Sequence, residues 1–316
     1  MEQIKHKFIA VNGLKLHVAE IGSQASPAVV FLHGFPEIWY SWRYQMVAVA
    51  KAGLRAIALD YRGYGLSDPP PVPEDAKYLD IVSDVVALLD ALSVSKAFFI
   101  GKDFGIRPAY LIPLLYPERV YGVVTLGVPY LPPTPSTSFL DGLPEGFYIA
   151  RWQKPGRAEA DFGRFDNKTV VRNIYILFSS SEIPIAAENQ EIMDLVDSST
   201  PLPSWFTEED LAAYGSLYEK SGFRTALKVP YRSLTEEFNL TNFNVDAPAL
   251  FIMGEKDYFL KFPRMEEYIK NEQAKAFVPK LKTVYIPDGT HFVQEQFPDQ
   301  VNKLIVDFLR ENMVKK

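Results

Sequence analysis

The chain has 316 residues, 47% of them hydrophobic and 23% charged, a globular composition that excludes disorder as a whole and excludes a coiled coil. Lys and Arg number 33 against 39 Asp and Glu, a formal net charge of -6, so a phosphate backbone is repelled and nucleic-acid binding is not expected. Cysteine is absent, which removes a thiol nucleophile, disulfides, Cys-based zinc sites and iron–sulfur clusters; the four histidines are His6, His17, His33 and His291.

The first twenty residues lack the apolar stretch of a signal peptide, and no apolar run approaches the roughly 18 residues of a membrane span. A cytoplasmic protein is therefore expected. Ala28 to Leu32 reads as a buried strand and Glu37 to Ala52 as a helix. Leu54 to Leu59 is the next strand, ending at the loop Asp60 to Gly65. Tyr78 to Leu92 has apolar residues at helical spacing. Ala97 to Ile100 and Val123 to Leu126 are further strands. Continuous apolar strands between helices imply a parallel sheet covered on both faces. The alternation stops at Pro129. From there to Asp246 the chain is rich in Pro, Ser, Phe and acidic residues, opening with Pro132-Pro133-Thr134-Pro135, and segments such as Thr207 to Ser221 look helical. Strand patterns resume at Ala247 to Met253 and Thr283 to Ile286, and Pro298 to Asn312 reads as a final helix. The economical division is an α/β core, residues 1–129 and 247–316, split by an inserted helical cap, residues 130–246.

Gly101-Lys102-Asp103-Phe104-Gly105 follows one strand and precedes a helix. This is a Gly-x-nucleophile-x-Gly turn: the glycines permit a sharp bend that lifts the central side chain to the sheet's edge, above a helix N-terminus that favours negative charge. Asp103 could equally be an ordinary helix cap when the pentapeptide is taken alone. Three other segments follow strands: His33-Gly34-Phe35-Pro36, Gly254-Glu255-Lys256-Asp257 and Gly289-Thr290-His291-Phe292. His33 reads as structural, Asp257 as a carboxylate that orients an imidazole, and His291 as a base. Each has a bland reading by itself; four in this order point to nucleophilic chemistry.

On these residues the chain resembles the plant-type soluble epoxide hydrolases of the α/β-hydrolase fold. The likeness extends through His33 to Glu37, Trp39 to Arg43, Asp60 to Gly65, Gly127-Val128-Pro129, Glu145 to Tyr148 and Tyr231-Arg232. It implies that the amides of Phe35 and Phe104 form an oxyanion hole, that Tyr148 and Tyr231 bind the epoxide oxygen, and that Phe35, Tyr148 and Tyr231 contact substrate. Two departures stand out. Many members carry His-Asp-Trp where this chain has Lys102-Asp103-Phe104, and an aromatic commonly stands where this chain has Pro230.

The identity of residue 103 sets the reaction class. A Ser that opened an epoxide would form an ether, which water does not readily cleave. An Asp forms an ester, whose carbonyl carbon accepts water. The expected product is a vicinal diol, from apolar epoxides of fatty-acid, aryl or terpenoid type. The 22 Phe and 17 Tyr allow an apolar pocket. No metal or organic cofactor is implied, since there is no His pair at ligand spacing and no phosphate-binding glycine loop. The expected partner is a small-molecule epoxide, with monomer and homodimer both open. A haloalkane or haloacid dehalogenase with the same Asp nucleophile, and a non-catalytic ligand receptor on the same fold, are the rival readings.

Overall fold

The computed structural model describes residues 3–134 and 142–313; Pro135, part of the expected opening of the cap, lies outside the described residues. Eight strands form one sheet: β1 (Lys5–Val11), β2 (Leu14–Ile21), β3 (Ala28–Leu32), β4 (Arg55–Leu59), β5 (Ala97–Lys102), β6 (Val120–Leu126), β7 (Ala249–Gly254) and β8 (Leu281–Ile286). Their spatial order is β1-β2-β4-β3-β5-β6-β7-β8. From β4 through β8 all pairs are parallel, with Val30 opposite Ile57, Phe31 opposite Ile100, Val124 opposite Leu250 and Ile252 opposite Val284. Strands β3, β4, β5 and β7 are buried at every residue, because helices cover both faces.

Strands β1 and β2, ahead of the first expected strand at Ala28, form an antiparallel hairpin whose second strand pairs with β4. Its turn is Asn12-Gly13, both at positive φ (49° and 79°), the conformation a two-residue hairpin turn requires.

The helices are α1 (Arg43–Lys51), α2 (Tyr78–Ala91), α3 (Ile106–Leu115), α4 (Tyr148–Gln153), α5 (Arg157–Phe162), α6 (Asn167–Phe178), α7 (Glu208–Tyr218), α8 (Arg224–Lys228), α9 (Met265–Lys270), α10 (Val293–Gln296) and α11 (Pro298–Asn312). The helix expected over 37–52 is shorter. Asp60 accepts the Trp39 N–H at 2.8 Å, and residues 39–42 form a tight 3-10 turn before α1 begins. Helix α7 matches the expected segment closely. Thr207 caps it, its hydroxyl accepting the Asp210 N–H at 3.0 Å while Asp210 returns a contact to the Thr207 N–H.

Helices α4 to α8 lie between β6 and β7 in sequence and close over the strands' C-terminal ends. Several buried contacts hold them there. Arg43 of α1 reaches Glu295 of α10 at 2.5 Å and Asp210 of α7 at 2.9 Å, all three fully or nearly buried. The Tyr175 hydroxyl of α6 donates to Glu295 at 2.7 Å. Tyr218 donates to the Pro36 carbonyl and Tyr64 to that of Val229, at 2.9 and 2.6 Å. No helix among the described residues is long and apolar enough to cross a membrane.

Candidate active site

Asp103 stands where β5 gives way to α3, with φ of +52°, a left-handed conformation that is strained for a residue with a side chain. The chain around it is packed too closely for anything but glycine. A Cβ on Gly105 would lie 2.2 Å from the Leu32 carbonyl oxygen, and one on Gly101 would lie 2.6 Å from that of Gly105. The Gly34 backbone presses against the Asp103 side chain in the same way. This close approach brings the Phe35 N–H to Asp103 Oδ1 at 3.2 Å. The Phe104 amide lies close enough to favour the charged carboxylate, while the Phe35 N–H is the one that meets it as a hydrogen bond among the described residues. Both backbone amides therefore favour negative charge on the Asp103 carboxylate.

On the other side of the carboxylate, His291 places Nε2 3.3 Å from Asp103 Oδ2. Its Nδ1 is 3.0 Å from both oxygens of Asp257. Asp257 is itself fixed, Oδ1 accepting the Phe259 N–H at 3.0 Å. The three side chains are buried, so their charges act on one another with little screening. Burial alone would lower the His291 pKa, but the charge of Asp257 and the hydrogen bond to Asp103 outweigh it and the net shift is upward. Burial alone would raise that of Asp103, yet His291, Lys102 and the Phe104 amide hold it below the usual carboxylate range. Asp103 is thus an anion beside an imidazole whose other nitrogen faces a carboxylate.

His33 is placed differently. Its Nε2 accepts the Tyr61 N–H at 3.2 Å and its Nδ1 donates to the Gly34 carbonyl at 2.9 Å. Burial pushes its pKa down to about 4, so it is a neutral strut of the loop, as expected.

Over the carboxylate lie tyrosines from α4 and from the turn Tyr231–Ser233. The Tyr148 and Tyr231 ring centroids are 6.2 Å apart and nearly perpendicular. The Tyr148 hydroxyl is 3.0 Å from that of Tyr258, and the Tyr258 ring stands 4.9 Å from His291. Burial pushes all three phenols well above their ordinary pKa, so each keeps its proton. Tyr258 directly follows Asp257 and is a site residue that no sequence pattern marks.

A cavity with an empty volume of about 680 Å³, mouth included, opens at this point. Asp103, Phe104, Tyr148 and Tyr258 line it together with apolar residues such as Leu111, Leu114 and Val128. Tyr231 is not among the lining side chains; it packs against Phe104 and Trp152 at 5.3 and 4.9 Å. The Phe35 ring is not among them either. It sits with Trp152, Phe162, Phe223 and Tyr231, so Phe35 presents its amide to the site and its ring to the helices above.

A family model described as alpha/beta hydrolase fold matches residues 27–298. "Epoxide hydrolase 1" of Siraitia grosvenorii is 39% identical over 320 aligned residues, which cover 98% of this chain and all of that protein. The solved structure of potato (Solanum tuberosum) epoxide hydrolase I is 35% identical with a TM-score of 0.87, covering 98% of this chain and 99% of that one. That of an epoxide hydrolase from Vigna radiata is 34% identical with a TM-score of 0.90, over the same shares. The chain belongs to the plant-type epoxide hydrolases of the α/β-hydrolase fold. In this epoxide hydrolase the departure at residue 102 has a physical setting that the sequence hid. Lys102 is fully buried, its Nζ has no hydrogen-bond partner among the described residues, and it lies 5.6 Å from the Phe292 ring centre. Glu37 is also fully buried. It accepts the Gly34 N–H at 3.2 Å and hydrogen-bonds the Gln294 amide, and burial raises its pKa to about 7 against the pull of Lys102. A cation and an acid thus lie buried behind Asp103 and His291.

Proposed function

We propose that this chain hydrolyses apolar epoxides to vicinal diols through a covalent ester on Asp103, with residues 130–246 acting as a cap over the substrate. Asp103 Oδ2 attacks one epoxide carbon and the ring C–O bond breaks. The departing oxygen takes a proton from the tyrosine pair, Tyr148 and Tyr231, whose phenols are protonated at neutral pH. Oδ1 remains as the ester carbonyl oxygen, held at the Phe35 amide with the Phe104 amide beside the carboxylate. Water then attacks Asp103 Cγ while His291 Nε2 takes its proton, and Asp257 stabilises the imidazolium that forms. Negative charge developing on Oδ1 meets the two amides, an arrangement in which one lost donor costs about 2.7–4 kcal/mol of barrier. Collapse breaks the Cγ–O bond to the substrate, the departing alkoxide takes the proton from the His291 imidazolium, and the proton on the re-formed Asp103 carboxyl returns to the tyrosine pair, so the diol leaves and the enzyme is restored.

The single observation that carries this reading is the position of the Asp103 carboxylate, with one oxygen at 3.2 Å from the Phe35 amide and the other at 3.3 Å from His291. A Ser-type hydrolase would need a hydroxyl there. The test is Asp103→Asn against wild type on a panel of aryl, aliphatic and terpenoid epoxides. Turnover is expected to vanish in the variant; unchanged turnover removes residue 103 from its role.

A further inference from the structure

Tyr258 opens the 3-10 turn Tyr258–Lys261, directly after Asp257, and is as buried as Tyr148. Its ring is wedged among Phe178, Phe262 and His291, with centroids 5.0, 5.9 and 4.9 Å away. The turn is pinned as well, since Asp257 caps it by accepting the Phe259 N–H at 3.0 Å. The ring is therefore held, and its hydroxyl is delivered to one place. Among the described residues that hydroxyl has a single hydrogen-bond partner, the Tyr148 hydroxyl at 3.0 Å. Both tyrosines line the cavity beside Asp103. A phenylalanine at 258 would fill the same space, and burying a hydroxyl costs free energy. Packing thus accounts for the ring and leaves the oxygen to be explained.

A hydroxyl carries one proton. If the Tyr148 proton goes to the epoxide oxygen, it cannot also lie between the two phenols. The proton in the 3.0 Å contact then belongs to Tyr258, which donates while Tyr148 accepts. This fixes the rotation of the Tyr148 O–H and leaves its proton free for the cavity. When the ring C–O bond breaks, its electron pair goes to the ring oxygen, which takes the Tyr148 proton, and negative charge passes to the Tyr148 oxygen. The bond from Tyr258 changes at that moment from neutral to charge-assisted, and such bonds are roughly twice as strong. An interaction that strengthens toward the transition state raises the rate. Burial lifts both phenol pKa values, and on top of it the shared bond draws Tyr148 down and pushes Tyr258 up, so Tyr148 gives its proton first. Tyr148 regains a proton from the carboxylic acid that hydrolysis leaves on Asp103.

Resting on the proposed epoxide hydrolysis, we propose that Tyr258 is a positioning residue for this reaction: it donates to the Tyr148 oxygen, aims the Tyr148 proton into the cavity and stabilises the phenolate that forms. The test is Tyr258→Phe, alone and combined with Tyr148→Phe or Tyr231→Phe, in single turnovers of styrene oxide. Rapid quench and intact-protein mass read the growth and the decay of the Asp103 ester separately. Tyr258→Phe should form the ester about tenfold more slowly than wild type, the gain when a neutral hydrogen bond becomes charge-assisted. Ester decay should be spared, since the ring beside His291 is kept. The same slowing should appear in the Tyr231→Phe background and vanish in the Tyr148→Phe background, where no oxygen is left to accept the bond. A tyrosine that only supports the fold would slow both steps, or slow every background alike, and either result overturns the proposal. Ester formation at the wild-type rate in Tyr258→Phe overturns it alone and leaves the hydrolase reading standing. A wild type that forms no ester overturns both.

Discussion

Replacing Asp257 with Asn separates the two halves of the proposed reaction. In the wild type both Asp257 oxygens lie 3.0 Å from His291 Nδ1, and one of them also accepts the Phe259 N–H. An amide oxygen can keep the Phe259 bond, which turns the amide nitrogen toward Nδ1. The imidazole must then carry its proton on Nε2, facing the place where water is to be deprotonated. The pair is buried, with side-chain exposures of 2% and 0%, so solvent does not soften the change. In a Ser–His–Asp triad the same substitution lowers turnover by about 10⁴, which is about 5.4 kcal/mol at 1.36 kcal/mol per tenfold. Only the hydrolytic half uses His291 as a base; attack by Asp103 on the epoxide does not. Rapid-quench kinetics with mass spectrometry of the intact protein should therefore show a burst of about one epoxide per enzyme, retained as an adduct on Asp103, followed by turnover about 10³- to 10⁴-fold slower than wild type. A variant that turns over within tenfold of wild type, or that loses the burst along with turnover, would refute the assignment of Asp257.

Tyr148→Phe and Tyr231→Phe should each slow ester formation by about 10- to 100-fold and the double variant by at least about 10³, because one phenol partly substitutes for the other; stopped-flow rates of adduct formation decide this, and an unimpaired double variant removes the tyrosines from the reaction. The His291 pKa lies above its ordinary value, so neutral base is lost as pH falls, whereas Asp103, held below the carboxylate range, stays ionised. The ester should accordingly accumulate as pH falls below the raised His291 pKa and become scarce well above it, and quenched samples showing equal ester at the two ends of the pH range would contradict the roles given to the two groups. Arg43→Met should destabilise the fold by about 3–5 kcal/mol, since it leaves Glu295 buried without its cation. The sign with pH follows from Glu295, whose burial outweighs Arg43 and already lifts its pKa above the carboxylate range. The folded state then holds the extra proton, and stability falls as pH rises. Removing Arg43 lifts that pKa further, so urea titrations should find a larger cost at pH 8 than at pH 5; a cost below about 1 kcal/mol, or an equal one, would count against the clasp.

What could be read from the amino acids divides along physical lines. The parallel strands β3, β5 and β7 announced themselves because burial on both faces demands unbroken apolar runs. Asp103, Asp257 and His291 were legible because each sits in a glycine-marked turn after a strand, Asp103 immediately after β5, Asp257 three residues past β7 and His291 five past β8. The β1–β2 hairpin was overlooked although Asn12-Gly13 is a strong turn signal, its strands mixing exposed and buried residues. Helices α4, α5 and α8 have only 6, 6 and 5 residues, too few for a helical period to show. The split before α1 depends on Asp60, a carboxylate brought from another loop. Lys102, Glu37 and Gln294 form a buried polar layer behind the carboxylate, and nothing in local sequence marks a charged residue as buried.

Isotope tracing reaches the ester on Asp103 most directly. Enzyme in excess over epoxide, quenched after one cycle in water enriched in heavy oxygen, should yield diol without label, with the label left in the Asp103 carboxylate. Heavy oxygen in that first diol would mean that water attacks the ring itself, and the covalent route would be wrong.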